Sequence, residues 1–402
     1  MDFDYIRQFE KLGVGLFVHF GLYSVLGMGE WYQYAYNADK EKYEKLVQRF
    51  NVKKNWAKDL VKTAKKMGAR YIVITSRHHD GFSLYDTCGL NDFDAVHSAS
   101  KRDLIKEFVD ECHKENIIPF FYHTLLDWHN TDYQNDFPKY IDYLVKSVEI
   151  LCKNYGKIGG FWFDGYWDKP NADWQFDRLY KTIRKYQPTA IITNNTGLNN
   201  EGAVTHKEID CVTFERGKPF NVSNKDGKDR AGEVCESIND HWGHANKDLN
   251  YKSIPDLIDL LIDCRKYGIN LLLNVGPLGN GGFDEFEKQI LLKFGKWIQM
   301  NKHLVFDCRP SSIEADNADI FSDDEYYYAV MKDVPMSTNE NVTRRTSRPE
   351  VVIHTKQQIK NASYMDTKIQ NVEVDKKNNS FPILPFPYGT SLYARVVKFK
   401  LK

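Results

Sequence analysis

Nothing in the 402-residue sequence approaches the ~18 consecutive apolar residues that a membrane-spanning helix needs. The amino-terminal stretch from Met1 to Gly13 has neither the basic start nor the apolar core of a secretory leader. The expectation is a cytoplasmic chain with no membrane partner. Net charge is missing too: 55 lysines and arginines balance 55 aspartates and glutamates. No global field therefore gathers phosphate backbones, which argues against a nucleic-acid partner. The seven cysteines are odd in number, widely spaced and contain no CxxC pair, which excludes a zinc ribbon and points to reduced thiols. The stretch Gly276-Pro-Leu-Gly-Asn-Gly-Gly follows a predicted strand but lacks both the P-loop lysine and a dinucleotide fingerprint. HExxH and a strand-end HxH are absent as well, so no cofactor and no metal are expected. What the chain does have is apolar and aromatic material, 42% and 14% of its residues. That is enough for a sizeable core and excludes wholesale disorder.

Over the first three quarters, short β-rich runs alternate with amphipathic helical patterns, as in a parallel sheet with crossover helices. The predicted strands are Val14 to Phe20, Arg70 to Thr75, Ile117 to Tyr122, Gly159 to Asp164, Ala190 to Asn194, Val212 to Glu215, Val234 to Ile238 and Asn270 to Val275. Helical spacing marks Trp56 to Met67, Arg102 to Lys114, Tyr140 to Lys153, Phe176 to Tyr186, Ile254 to Lys266 and Asp284 to Met300. The pattern predicts an α/β chain with a (β/α)8-like, TIM-type barrel, its helix after the sixth strand missing or irregular. Beyond residue 302 the helical period gives way to alternating runs at Tyr326 to Met331, Glu350 to Thr355, Val372 to Val374 and Leu392 to Phe399. These read as a small antiparallel β-sandwich, dividing the chain into a (β/α)8-like domain at 1–302 and a C-terminal domain at 303–402.

A parallel barrel gathers its chemistry at the carboxyl ends of its strands. Here those ends carry His19 and Glu30-Trp31, then His78-His79-Asp80, then Tyr122 with Asp127-Trp128, and then Trp162-Phe-Asp164-Gly165. Glu215-Arg216, Glu233, Glu236 and Trp242 follow. Carboxylates, histidines and flat rings together are the equipment of a carbohydrate site: acid, base or nucleophile, partners for hydroxyls, and cover for apolar sugar faces. In the fourth strand, period-two alternation sends Trp162 and Asp164 to one side and Phe161 and Phe163 to the other. An aspartate closing an apolar strand is either a helix cap or ion-pair partner, or a functional group. His78 and His79 admit a satisfied turn or hydroxyl binding; with Asp80 they could also hold a metal, but the usual ligand spacing of a barrel metallohydrolase is lacking.

The ordered set Gly15-Leu-Phe-Val-His-Phe-Gly, Gly29-Glu-Trp-Tyr, His78-His-Asp-Gly-Phe, Leu126-Asp-Trp-His, Phe161-Trp-Phe-Asp-Gly, Glu233-Val-Cys-Glu-Ser-Ile-Asn and Asn270-Leu-Leu-Leu-Asn-Val-Gly-Pro resembles glycoside hydrolase family 29, the α-L-fucosidases. The resemblance spans roughly residues 10 to 305 and implies a barrel followed by a β-sandwich. It further implies a retaining exo-α-L-fucosidase acting on fucosylated oligosaccharides or glycoconjugates through a covalent fucosyl-enzyme intermediate. By motif position Asp164 corresponds to the nucleophile and Glu233 to the acid/base, with Glu236 in reserve, since in an extended segment the two glutamates face opposite ways. His19, Glu30, Trp31, His78, His79, Tyr122, Trp162 and Arg216 correspond to sugar-binding positions. Two other readings stand beside it: a sugar-binding barrel without catalysis, and a metal-dependent hydrolase using His78, His79 and Asp164. Oligomeric state is left open.

Overall fold

The structure is a computed structural model that describes residues 4–198, 202–222, 227–337, 350–366 and 372–402. Eight strands, β1 (Val14–Val18), β2 (Tyr71–Arg77), β3 (Ile118–Thr124), β4 (Gly160–Asp164), β5 (Ile191–Asn194), β6 (Cys211–Glu215), β7 (Ala231–Ser237) and β8 (Asn270–Val275), follow one another around a closed barrel. The pairings are parallel throughout, and β1 closes on β8. Each strand is a nearly continuous apolar run because both of its faces are covered. Alternate residues fill the barrel: Phe17, Tyr71 and Val73, Phe120 and Tyr122, Trp162, Cys211, Ala231 and Cys235 form one buried cluster.

Helices Trp56–Met67, Leu104–Glu115, Phe137–Asn154 and Phe176–Tyr186 follow the first four strands, and Ile254–Lys266 and Glu285–Met300 follow the last two. The helix expected to be missing after β6 is absent among the described residues, and so is one after β5. No described helix is long and apolar enough to cross a membrane.

The C-terminal strands are β9 (Arg309–Pro310), β10 (Glu314–Asp316), β11 (Asp319–Ser322), β12 (Tyr327–Met331), β13 (Glu350–His354), β14 (Ile359–Tyr364), β15 (Ser380–Pro382) and β16 (Arg395–Leu401). They form a five-stranded sheet in the order β14-β16-β12-β11-β9 and a three-stranded sheet, β10-β13-β15. Val351, Ile353 and Phe381 from the smaller sheet share a core with Ala329, Met331, Val397 and Phe399 from the larger, which makes a sandwich. Val372 to Val374, read as a strand from its β-branched run, is not one: the segment carries no ladder, although Val372 is buried in the same core. The chain divides into compact units at 1–252 with 270–292, and at 253–269 with 293–402. A cut at 302/303 therefore differs from the observed grouping, in which helix Ile254–Lys266 belongs with the C-terminal unit.

Candidate active site

A cavity opens at the carboxyl ends of the barrel strands. Its walls bring together His19, Trp31, His78, His79, Tyr122, Trp162 and Asp164, seven residues singled out in the sequence. Phe17, Trp167, Leu198, Glu215 and Trp242 line it as well. On β4 the alternation holds: Trp162 and Asp164 face the cavity, while Phe161 and Phe163 stack on each other, 5.6 Å between ring centroids and 8° between planes. Gly165 follows in a left-handed turn, φ +92°, where a Cβ would come within 2.6 Å of Leu126, so no side chain fits there.

Asp164 and Glu215 share the cavity and are joined by Asn195, whose Nδ2 donates to Asp164 Oδ1 at 3.2 Å and to Glu215 Oε2 at 2.6 Å. Thr213 Oγ1 donates to Asn195 Oδ1 at 3.1 Å, which fixes the amide with its nitrogen toward the carboxylates. Two oxygens bonded to one nitrogen cannot lie farther apart than those two lengths together. The facing oxygens of the two carboxyls are therefore held close, in keeping with the ~5 to 5.5 Å between the carboxyl groups of a retaining pair.

The two groups are pushed in opposite directions. Burial alone raises Asp164, but the hydrogen bond and charge of His79, the Tyr122 hydroxyl (2.9 Å) and the Gly165 N–H bring it below the usual aspartate value. Burial, and then the charge of Asp164, push Glu215 up to about 7. One carboxyl lowered to stay ionised beside one raised so that it keeps its proton to higher pH is the division that acid–nucleophile pairs require.

The histidines are held as directional partners. Asn274 donates from Nδ2 to Ser237 Oγ and to the Trp242 carbonyl, so its Oδ1 is the atom facing His19 Nδ1 at 2.7 Å. His19 Nδ1 therefore carries the hydrogen and Nε2 is left as an acceptor, in a ring that burial keeps neutral by lowering its pKa to about 3. The Thr124 hydroxyl donates to the Leu126 carbonyl, so His79 Nδ1 donates to Thr124 Oγ1 at 2.7 Å and Nε2 stands 3.5 Å from Asp164. His78 is buried, with an Nδ1 that has no protein partner among the described residues. Replacing Asn274 by leucine removes three hydrogen bonds and strands His19 Nδ1 and the Trp242 carbonyl. A loss of about 2–4 kcal/mol is expected, seen as an earlier urea-unfolding midpoint.

Four expected site residues lie outside the cavity wall. Glu233, expected as the acid/base, is 1% exposed inside the barrel, bonded to Tyr71 and Trp162, and is not part of the cavity wall. Glu236 is not part of the cavity wall and is paired with Lys252, 3.3 Å, and Arg216, 3.8 Å. Glu30 is buried and accepts the Gly243 N–H at 2.7 Å; a Cβ on Gly243 would strike Tyr23, so the backbone comes close enough to set the neighbouring Trp242. Arg216 lies over the Trp242 ring at 4.8 Å, a support for that wall.

Glu215 stands among the strand-end residues of the sequence without a role assigned to it, and Asn195 is not marked there at all. The available signal for Glu215 was its position as the last residue of a strand, the same position as Asp164. From Trp31 and Trp167, stacked in the cavity wall at 5.7 Å, an aromatic rim continues: Trp128 packs edge-on against Trp31 (5.3 Å) and face-on against the exposed Tyr34 (5.8 Å).

A protein-family model described as alpha-L-fucosidase matches residues 4–303. Tissue alpha-L-fucosidase of Rattus norvegicus is 26% identical over 345 residues, covering 77% of this chain and 71% of that one. The structure of alpha-L-fucosidase isoenzyme 1 from Paenibacillus thiaminolyticus superposes with a TM-score of 0.86 at 27% identity, covering 99% of both chains. A GH29 alpha-L-fucosidase from Bacteroides thetaiotaomicron, trapped as a covalent intermediate, has the same fold with a TM-score of 0.82 at 22% identity, covering 100% of this chain and 97% of that one.

Proposed function

Because this chain belongs to the α-L-fucosidase family of glycoside hydrolases, we propose that Asp164 is its nucleophile and Glu215 its acid/base. The protein is a retaining α-L-fucosidase that removes terminal α-L-fucosyl groups from fucosylated oligosaccharides or glycoconjugates. The observation that carries the assignment is the Asn195 amide spanning two cavity carboxyls whose acidities are driven apart.

In the first step an Asp164 oxygen attacks the anomeric carbon. The bond from that carbon to the leaving oxygen breaks, and the Glu215 proton passes to that oxygen, releasing the alcohol and leaving a β-fucosyl ester on Asp164. In the second step Glu215, now a carboxylate, takes a proton from water as the water oxygen attacks the same carbon. The ester bond breaks, Asp164 is restored, and α-L-fucose departs. His19 Nε2 accepts a sugar hydroxyl and His78 and His79 address others, while Trp162 and Tyr122 form the floor. The 6-methyl group of fucose, which replaces a hydroxymethyl, belongs against apolar wall. Trp31 supplies that wall together with Trp167, the ring stacked on it.

The test is wild-type turnover of an aryl α-L-fucoside across pH, with the first-formed anomer read by NMR. The acid must be protonated, so kcat/KM is expected to fall as pH rises through about 7, the value for Glu215. The nucleophile must be ionised, so the acid limb lies below the ordinary aspartate range. α-L-Fucose is expected first; β-L-fucose first, or turnover that climbs through pH 7, overturns the assignment.

A further inference from the structure

Glu233 is a carboxyl that the two-step reaction leaves without a task. It sits at 1% exposure in the barrel interior beside Tyr71, Cys211 and Cys235. Its Oε2 accepts the Tyr71 hydroxyl at 2.5 Å and its Oε1 accepts the Trp162 indole N–H at 3.0 Å. Burial pushes its pKa up to about 7 against those two bonds. An apolar side chain would fill the space without the penalty of burying a carboxyl, so filling the core does not account for it.

What the carboxyl holds is one end of a relay into the cavity. The Trp162 ring is cavity floor, and it stacks on Tyr122 with centroids 5.7 Å apart and planes at 16°. The Tyr122 hydroxyl in turn donates to Asp164 Oδ2 at 2.9 Å. An indole N–H facing the barrel interior has to find an acceptor there, and its bond to Glu233 fixes the rotation of the whole ring. If the acceptor is removed, the ring turns to satisfy its N–H, Tyr122 follows, and the carboxylate loses its aim.

We propose that Glu233 is a positioning residue that, through the Trp162 indole and the Tyr122 ring stacked on it, fixes the orientation of Asp164. The proposal rests on the reading of Asp164 as nucleophile. It also separates two glutamates of one barrel by role: Glu215 touches the reacting atoms, and Glu233 acts only through the floor.

The experiment compares Glu233→Gln, Glu233→Leu and Trp162→Phe, alone and with Glu233→Leu combined with Trp162→Phe. It uses an aryl α-L-fucoside for kcat and KM, and fucose quenching of tryptophan fluorescence for affinity. Glutamine still offers Trp162 a carbonyl oxygen and turns its amide to the Tyr71 oxygen, so kcat is expected to stay within ~3-fold of wild type. Leucine offers nothing, so kcat is expected to fall ~30-fold while KM and fucose affinity move less than ~3-fold. In the Trp162→Phe background the leucine change is expected to cause no further loss, because both act through one bond. Glu233→Met, of similar length and without an acceptor, carries the same expectation should the leucine variant not fold. A leucine or methionine variant with wild-type kcat overturns the proposal, and so does a glutamine variant as impaired as leucine, or full additivity with Trp162→Phe. An inert wild type that still binds fucose overturns this proposal and the nucleophile assignment together; an active wild type with an indifferent Glu233 overturns this one alone.

Discussion

Asp164→Gly is expected to lower kcat on an aryl α-L-fucoside by at least ~10⁴-fold, as loss of a nucleophile does in hydrolases that work through covalent intermediates. Azide is expected to restore release of the aryl group. The reasoning is geometric. Removing the carboxylate opens the space beside the anomeric carbon at the end of β4, and Asn195, His79 and Tyr122, which held the carboxylate, remain as donors for a small anion. Azide entering there attacks from the face Asp164 used, while Glu215 still protonates the leaving oxygen. The product is β-L-fucosyl azide, identified by the anomeric coupling in its NMR spectrum. Activity within tenfold of wild type, or azide that changes neither rate nor product, removes Asp164 from the role.

Glu215→Ala has the opposite stereochemical signature, and that distinguishes the two carboxyls. An aryl fucoside with a good leaving group needs little protonation, so the fucosyl ester still forms on Asp164. Water then lacks its base, and the ester accumulates. Azide needs no base and attacks the ester from the other face, giving α-L-fucosyl azide. Substrates with poor leaving groups are expected to lose ~10²–10⁴-fold in kcat/KM, the usual worth of a positioned general acid. The decline above about pH 7 is expected to vanish with the residue whose raised pKa produces it. The same measurement on Glu236→Ala guards the assignment. Its carboxylate is held by Lys252 and Arg216, so no azide adduct is expected; α-L-fucosyl azide from that variant in place of Glu215→Ala moves the role to Glu236.

The choice between Glu215 and Glu233 shows where reading the chain stops. Alternation along a strand is a property of the sequence, and it correctly sends Asp164 into the barrel and Phe163 out. It also sends Glu233 inward on β7. What it does not give is height. Across the barrel Trp162 pairs with Thr193, Thr193 with Cys211, and Cys211 with Ala231. Two residues beyond Trp162 stands Asp164, and two beyond Ala231 stands Glu233, so the two occupy matching places in one hydrogen-bonded row. In a closed barrel the strands tilt and such a row slants along the axis as it passes from strand to strand. Three strands on, the matching place has sunk beneath the floor, level with the Trp162 indole that Glu233 binds. Glu215, two residues beyond the Thr213 that pairs with Glu233, climbs back to the level of Asp164.

The sequence by itself therefore determined the strands of the barrel and the side their residues face. Eight apolar runs separated by helical periods, and an aspartate, histidines and rings at the strand ends, are local patterns written at spacings of two and three to four residues. The motifs that carry family membership are equally local. Tertiary structure alone decided which groups meet, because register, tilt and closure are set by the packing of all eight strands together and leave no trace in any one of them. That is why His19, His78, His79, Trp162 and Asp164 were legible in the chain, while the Asn195 bridge, the partner carboxyl Glu215 and the buried place of Glu233 were not.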